Sequence, residues 1–423
     1  MDVQQLIRAL YPYADEYGVI KTFPEKGANI DTLLEQLASM AQREDATWES
    51  GQCSGTMYAG DHAHYNALNK AFSYFGHVNA LQRDMCMSMS RFESEIIAMT
   101  LDMLHGEAAE EACGTMTAGG TDSIMNAMLS YREQAREERG ITQPEIIWPE
   151  TAHPAFRKAA HLFGMTIVPA PVDPETTLVD VDFVRAHVNE KTAVIIGSAG
   201  NYPYGTIDPI AELSEIALEH GVGLHVDGCL GGFILPWGQQ LGYDIPIFDF
   251  RLAGVTSISA DTHKYGYGLK GTSVLAMRTK KLRQYQYFMV TDWKGGAYAS
   301  PGLAGSRSGG LIAATWTSMV SLGKEGYREH ARQIFETAFA MQDVVKSHPE
   351  LHLMGKPTFC FSFRSDAFDI YHLNDFMKTR GWRFNGQQHP NAIHMCVTGP
   401  QTQAGVLDKF TADLAEAVAY AKS

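Results

Sequence analysis

The stretch TSISADTHKYGYGLKG, residues 256–271, passes from a short run of small and β-branched residues straight into a glycine- and tyrosine-rich turn carrying two lysines, Lys264 and Lys270. Its first half, TSISAD, reads as a buried strand. Four more runs share that character: EIIWPE (145–150), TAVIIGSA (192–199), GVGLHVD (221–227) and TSVLAMR (272–278). They are apolar and short, as strands covered on both faces of a mostly parallel sheet must be. Helical patterns separate several of them. In IDPIAELSEIALEHG, Asp208 and Pro209 suit the N-cap and first position, Ile210, Leu213, Ile216 and Ala217 share a face, and Gly221 suits the C-terminal cap. Strand–helix alternation of this kind predicts an α/β sheet with right-handed crossovers.

From about residue 311 the pattern changes to a long helix (LIAATWTSMVSLG onward), the run FCFSFRS, a helix around His372–Arg380, the run NAIHMCVTG and a last helix near 402–422. This predicts a smaller C-terminal α+β domain. The expected division is a helical lead-in over 1–57 without visible chemistry, a large domain over 58–310 and a small one over 311–423.

The 423 residues carry 34 Lys and Arg against 48 Asp and Glu, a net charge of −14, with 45% hydrophobic residues. Such a chain buries a large core and is a poor partner for nucleic acid or an anionic membrane. An anionic ligand must therefore be held by local positive groups. No apolar run approaches the roughly 20 residues of a membrane span, and the opening MDVQQLIRALYPYADEY lacks signal or transit character, so a cytoplasmic location is expected. The six cysteines, Cys53, Cys86, Cys113, Cys229, Cys360 and Cys396, show no metal-like pairing and read as buried, reduced, structural thiols.

Four features carry chemistry. In GTMTAGGTDSIMNAML (114–129) glycines and small hydroxyl residues open a helix, so Gly119, Gly120 and Thr121 form either a phosphate cradle or a turn capped by Thr121 or Ser123. No Walker-type Gly-Lys-Ser/Thr follows, which argues against a nucleoside triphosphate. Asp227 ends a strand and either meets a ligand there or caps the next turn. Lys264 follows another strand end, where burial and the neighbouring His263 and Lys270 would lower its pKa and make it nucleophilic; otherwise it is a solvated lysine. His153, in ETAHPAFRKAA, either stacks on an aromatic ligand or bonds backbone at a helix start. Together these describe pyridoxal 5′-phosphate: a helix N-terminus for its phosphate, a carboxylate for its ring nitrogen and a lysine for its aldehyde. A nicotinamide cofactor fits less well, because no G-x-G-x-x-G opens a βαβ unit.

The chain resembles the sphingosine-1-phosphate lyases, a branch of the fold-type I, group II pyridoxal-phosphate decarboxylase superfamily. The matching segments are SGTMYAGDHAHYNALNKAF, FGHVNALQRDM, FESEIIAMTLDMLHG, GTMTAGGTDSIMNAML, ETAHPAFRKAA, GNYPYGTIDPI, GLHVDGCLGGFILPW, SISADTHKYGYGLKGTSVL and SPGLAGSRSGG, within residues 54–310. The resemblance implies that Lys264 attaches the cofactor, Asp227 meets its ring nitrogen, His153 stacks on the ring and Gly119, Gly120 and Thr121 bind its phosphate. It further implies cofactor contacts from Asn201, Thr262, His263 and Arg307, and substrate-phosphate contacts from Tyr58, His77 and Lys270. Two departures stand out: the turn often read as GGTES is GGTDS, with Asp122, and the small-Pro-Asn turn is Ala199-Gly200-Asn201. The implied reaction is retro-aldol cleavage of the C2–C3 bond of a phosphorylated sphingoid base, giving a long-chain aldehyde and phosphoethanolamine. Amino-acid decarboxylation, or a small-molecule aldolase reaction, is the alternative on the same scaffold. The resemblance also implies a homodimer, with SPGLAGSRSGG (300–310) reaching an active site across the two-fold interface.

Overall fold

The structure, a computed structural model, describes residues 10–423, so the first nine residues of the expected lead-in lie outside the described residues. The chain divides into a unit ending at Thr47 and a unit of Trp48–Ser423. Within the first, Arg43 holds Glu16 through a 2.5 Å ion pair.

In the second unit the large sheet has seven strands: β1 (Cys113–Thr117), β2 (Glu145–Pro149), β3 (Thr166–Ala170), β4 (Thr192–Ser198), β5 (Gly223–Asp227), β6 (Ser257–Ala260) and β7 (Ser273–Met277). Their spatial order is β1-β7-β6-β5-β4-β2-β3. The stretch from β2 to β6 is parallel, and helices Ala155–Phe163, Val181–His187 and Ile210–His220 occur among its crossovers. β7 pairs antiparallel with both β6 and β1. The reason is the connection: residues 261–272 contain no helix, and a parallel return needs a crossover.

Four central strands, β4, β5, β6 and β7, are buried along nearly their whole length, as their continuous apolar runs require. The helix Ile210–His220 ends at Gly221 with φ 64, as its sequence predicts. Its start differs. Asp208 does not cap it; the carboxylate turns inward and accepts from Ser198 N at 2.7 Å. Burial raises its pKa to about 7.

A hairpin of β8 (Phe288–Val290) and β9 (Tyr298–Ser300) precedes helix Gly309–Lys346, which Ser308 caps by accepting from Leu311 N at 3.3 Å. The smaller C-terminal domain holds an antiparallel sheet of order β10-β11-β13-β12, from β10 (Leu351–Leu353), β11 (Cys360–Ser365), β12 (Asn385–Gln387) and β13 (Ala392–Cys396), with helices Ile370–Thr379 and Val406–Lys422 against each other. Mixed α/β architecture with a mostly parallel sheet is thus the observed fold class. No helix among the described residues is long and apolar enough to cross a membrane.

Candidate active site

Strand direction decides which side chains meet. β1 runs the same way as β6, because both are antiparallel to β7, and β6 is parallel to β5. The carboxyl ends of β1, β2, β5 and β6 therefore open on one edge, where ligands bind in open α/β sheets. Gly119, His153, Asp227 and Lys264 stand at, or within four residues after, those four ends.

A cavity of about 320 Å³ at this edge is lined by Gly119, Gly120, Thr121, His153, His263 and Lys264, with Asp261 and Cys229. Gly119 has φ 127, a region closed to other residues, and a Cβ there would stand 3.2 Å from the His263 ring. A Cβ on Gly120 would stand 2.8 Å from the Asp261 carboxylate and 2.9 Å from Cys229 Sγ. No side chain caps helix Gly120–Arg139. Asp122 accepts from Ala118 N and from Asn126 Nδ2, both at 2.9 Å, while Ser123 Oγ lies 2.7 Å from Thr117 Oγ1. The amides of the first turn, with the helix dipole, thus face the cavity as an anion seat. His153 is exposed and lines the cavity, and its Nδ1 accepts from Ala155 N at 3.1 Å, the backbone bond of a helix-start histidine.

Lys264 departs from expectation. Burial works to lower its pKa, but Asp261, with its Oδ2 2.9 Å from Nζ, reverses the sign, helped by Tyr58 and Cys229, and the net shift is upward. The lysine is held as a cation. Asp261 is almost wholly buried, and its Oδ1 has no hydrogen-bond partner among the described residues. His263, by contrast, is pushed toward the neutral form, chiefly by burial, and its Nδ1 accepts from Thr272 N at 3.1 Å. Asp227 is buried, with Oδ1 accepting from Cys229 N at 3.0 Å and Ser259 Oγ at 3.3 Å; Oδ2 makes no hydrogen bond among the described residues.

A second cavity of about 320 Å³ shares Lys264 and His263 with the first and extends to Tyr58, Tyr202, Lys270 and Arg383. The Lys270 ammonium lies 4.4 Å over the Tyr58 ring and donates to the His263 carbonyl at 3.2 Å. The side chain reaches solvent, yet the crowding of its head against protein, then the charge of Lys264, lower its pKa to about 8. Neither Lys270 nor Arg383 forms an ion pair among the described residues. Ser54, Gly55 and Thr56, at the end of the expected lead-in, line this cavity too.

Asp227 and the remaining expected residues are in the lining of neither cavity. His77 is exposed in the turn after helix His62–Phe75. Asn201 is buried, donating to Thr206 Oγ1 at 2.7 Å and accepting from Tyr204 N at 2.9 Å. Thr262 donates to Thr272 Oγ1 at 2.7 Å. Arg307 clamps the carboxylate of Glu93 at 2.7 and 3.2 Å and lines a separate cavity of about 160 Å³. Sequence reasoning missed Asp261, Cys229, Tyr202, Arg383 and Cys396. Only Asp261 carried a visible signal, an acid three residues before the lysine at a strand end.

The model of the pyridoxal-dependent decarboxylase conserved domain matches residues 16–364. The sphingosine-1-phosphate lyase of Arabidopsis thaliana is 44% identical over 410 residues, covering 95% of this chain and 74% of that protein. The structure of Burkholderia pseudomallei sphingosine-1-phosphate lyase superposes with a TM-score of 0.97 at 65% identity, covering 97% of this chain and 95% of that one. This chain belongs to the sphingosine-1-phosphate lyase family. Lactobacillus brevis glutamate decarboxylase, with a TM-score of 0.82 at 20% identity over 97% of both chains, shares the fold alone.

As a member of that family the enzyme is a pyridoxal-phosphate-dependent lyase. The residues present fit that cofactor: a cradle that a Cβ at Gly119 or Gly120 would fill, a lysine beside it, and a strand-end carboxylate with one free oxygen.

Proposed function

We propose that the enzyme cleaves a phosphorylated sphingoid base between its amine-bearing and hydroxyl-bearing carbons, releasing a long-chain aldehyde and phosphoethanolamine. The supporting observation is the second cavity, where Lys270 and Arg383 stand unpaired, apart from the Gly119–Thr121 turn. One anion seat serves the cofactor's phosphate, and another is left for the substrate's.

In this reading Lys264 would attach the cofactor, His153 would contact its ring, and Asp227 Oδ2 would hold a proton at the ring nitrogen. Pyridoxal phosphate, when bound, supplies the electron sink for charge developing on the amine-bearing carbon. Lys270 and Arg383 would hold the phosphate headgroup at one end, with Tyr58 beneath Lys270, while the amine end would be held at the cofactor seated at the Gly119–Thr121 turn. Fixing two points orients the carbon–carbon bond, and orientation selects which bond breaks. Lys264, released from Asp261, is placed to move a proton at the reacting carbon.

A homodimer belongs to the same proposal. Its support is the β8–β9 hairpin and following loop, where Phe288, Met289, Trp293 and Leu303 are exposed, a patch of the kind that a second copy covers. A cytoplasmic location is the accompanying reading, supported by six free thiols.

The test is incubation of the holoenzyme with sphingosine phosphate and, separately, with glutamate and tryptophan. Aldehyde from the phosphorylated base alone is expected. Carbon dioxide from an amino acid, with no aldehyde from the base, would overturn the assignment.

A further inference from the structure

Two of the six thiols face each other across a pair of strands. Cys360 on β11 and Cys396 on β13 are direct cross-strand partners. Val397 N donates to Phe359 O at 3.2 Å, whereas Cys396 N donates to Ser54 Oγ and its carbonyl accepts from Gly55 N, both at 2.9 Å. The Cys360–Cys396 pair is therefore the non-hydrogen-bonded kind, whose Cα atoms approach to about 4.5 Å with side chains closest. That spacing lies inside the roughly 4.4–6.8 Å that a disulfide spans. Both residues are buried in the chain, yet Cys396 lines the second cavity beside Lys264 and Lys270, so a small oxidant has a route to one thiol of the pair.

We propose that Cys396 and Cys360 form a redox modification site, in which a peroxide entering the substrate cavity converts the pair to a disulfide and reversibly closes down turnover. The order of attack follows from position. Cys396 is the partner that lines the cavity, and hydrogen bonding by the Cys360 thiol, then by Tyr265, and the fields of Lys264 and Lys270 outweigh burial and lower its pKa, while Cys360 is raised. The Cys396 thiolate attacks the peroxide O–O bond, taking one oxygen as sulfenic acid and releasing hydroxide. The Cys360 sulfur then displaces that hydroxyl, forming the S–S bond; with the two thiol protons, one peroxide becomes two waters.

The consequence reaches the substrate through contacts. Tyr265 Oη is 3.2 Å from Cys396 Sγ, the Tyr58 ring packs edge-on against Tyr265 with centroids 4.9 Å apart, and Lys270 rests on Tyr58. Drawing Cys396 Sγ toward Cys360 shifts the support under the phosphate-holding lysine.

The experiment treats the holoenzyme with hydrogen peroxide, blocks remaining thiols and maps peptides, with turnover and bound-cofactor absorbance measured before and after dithiothreitol. A Cys360–Cys396 cross-link is expected, with lost turnover, retained cofactor, and recovery on reduction. Cys360→Ser and Cys360→Ala should start with ordinary turnover and lose the recoverable part, because Cys396 oxidises onward without a partner. Absence of the cross-link, a cross-link that leaves turnover unchanged, or recovery in the Cys360 variants equal to that of the unaltered enzyme would overturn the proposal. Should both variants fail to fold, the cross-link and its effect on the unaltered enzyme decide alone.

Discussion

Asp261→Asn is the substitution that separates the electrostatic role of Asp261 from its size. The carboxylate is buried, lies 2.9 Å from Lys264 Nζ and 3.7 Å from His263 Nε2, and is the charge that holds Lys264 protonated. A charge-assisted hydrogen bond contributes about 1.5–3 kcal/mol, which is about 1–2 pKa units. Only the neutral amine condenses with an aldehyde. Removing the charge should therefore raise the neutral fraction of Lys264, and the rate of cofactor capture by apoprotein at pH 8, by about ten- to a hundredfold. The measurement is the second-order rate of absorbance change on mixing apoprotein with pyridoxal phosphate between pH 6 and 9. An unchanged or slower rate across that range would refute the account of Asp261 as the group that sets the charge of Lys264.

Lys270→Met should keep the cofactor bound, since its phosphate is assigned to the Gly119–Thr121 turn, while kcat/KM for the phosphorylated base falls roughly ten- to a hundredfold; loss of cofactor would contradict the separation of the two anion seats. Gly119→Ala should do the opposite, weakening cofactor retention on dialysis because φ 127 is strained for alanine and its Cβ meets His263. His394 is fully buried, its ring nitrogens have no hydrogen-bond partner among the described residues, and burial lowers its pKa from 6.5 to about 4. A folded-state pKa below the unfolded one means that this contribution is complete above about pH 6.5 and lost as pH falls toward 4, about 3 kcal/mol in all. His394→Leu should then lose less stability than the unaltered protein between pH 7 and 4.5, read from denaturant midpoints.

The sheet was legible where burial is two-sided. TAVIIGSA and GVGLHVD needed no partner to be recognised, because a strand covered on both faces is apolar throughout. CGTMT and TIVPA, the observed β1 and β3, escaped notice for different reasons. β1 is fully buried yet half polar, its Thr115 accepting from Gln286 Nε2 at 2.7 Å and its Thr117 bonded to Ser123, so tertiary hydrogen bonds replace the missing hydrophobicity. β3 sits at the sheet edge, partly exposed, with a proline that only an edge tolerates. The sequence brought the glycine turn, His153 and Lys264 to one cavity because each follows its own strand end, and Asp227 ends a fourth strand on the same edge. Tyr202, Arg383 and Cys396 had no such signal, since they reach Lys264 from the loop after β4 and from the C-terminal sheet, over sequence distances that no local pattern encodes.

The spacing of the two lysines has its cause in the turn between them. A chain leaving β6 in an extended form would carry Lys270 far from Lys264, but residues 261–272 fold back: Tyr267 N donates to Lys264 O at 2.9 Å and Gly268 N to Thr262 O at 2.8 Å. Gly266 is required for this, since a Cβ there would stand 2.5 Å from the Thr262 carbonyl oxygen. The Gly266 carbonyl is in turn held by Ser318 Oγ at 3.0 Å and Tyr327 Oη at 2.8 Å, both on helix Gly309–Lys346. Tyr267, at φ 58, is buried against Tyr327 and so fixes an unfavourable backbone state by packing. The folded turn delivers both amines to the same edge of the sheet with different electrostatics. Lys264 meets Asp261 at once, whereas Lys270, beyond the bend, meets an aromatic face and a carbonyl but forms no ion pair with a carboxylate among the described residues. A cation without a counter-ion at a cavity mouth attracts an external anion, and a cation paired with a buried acid does not, so one short turn presents two amines of opposite electrostatic character to the same cavity.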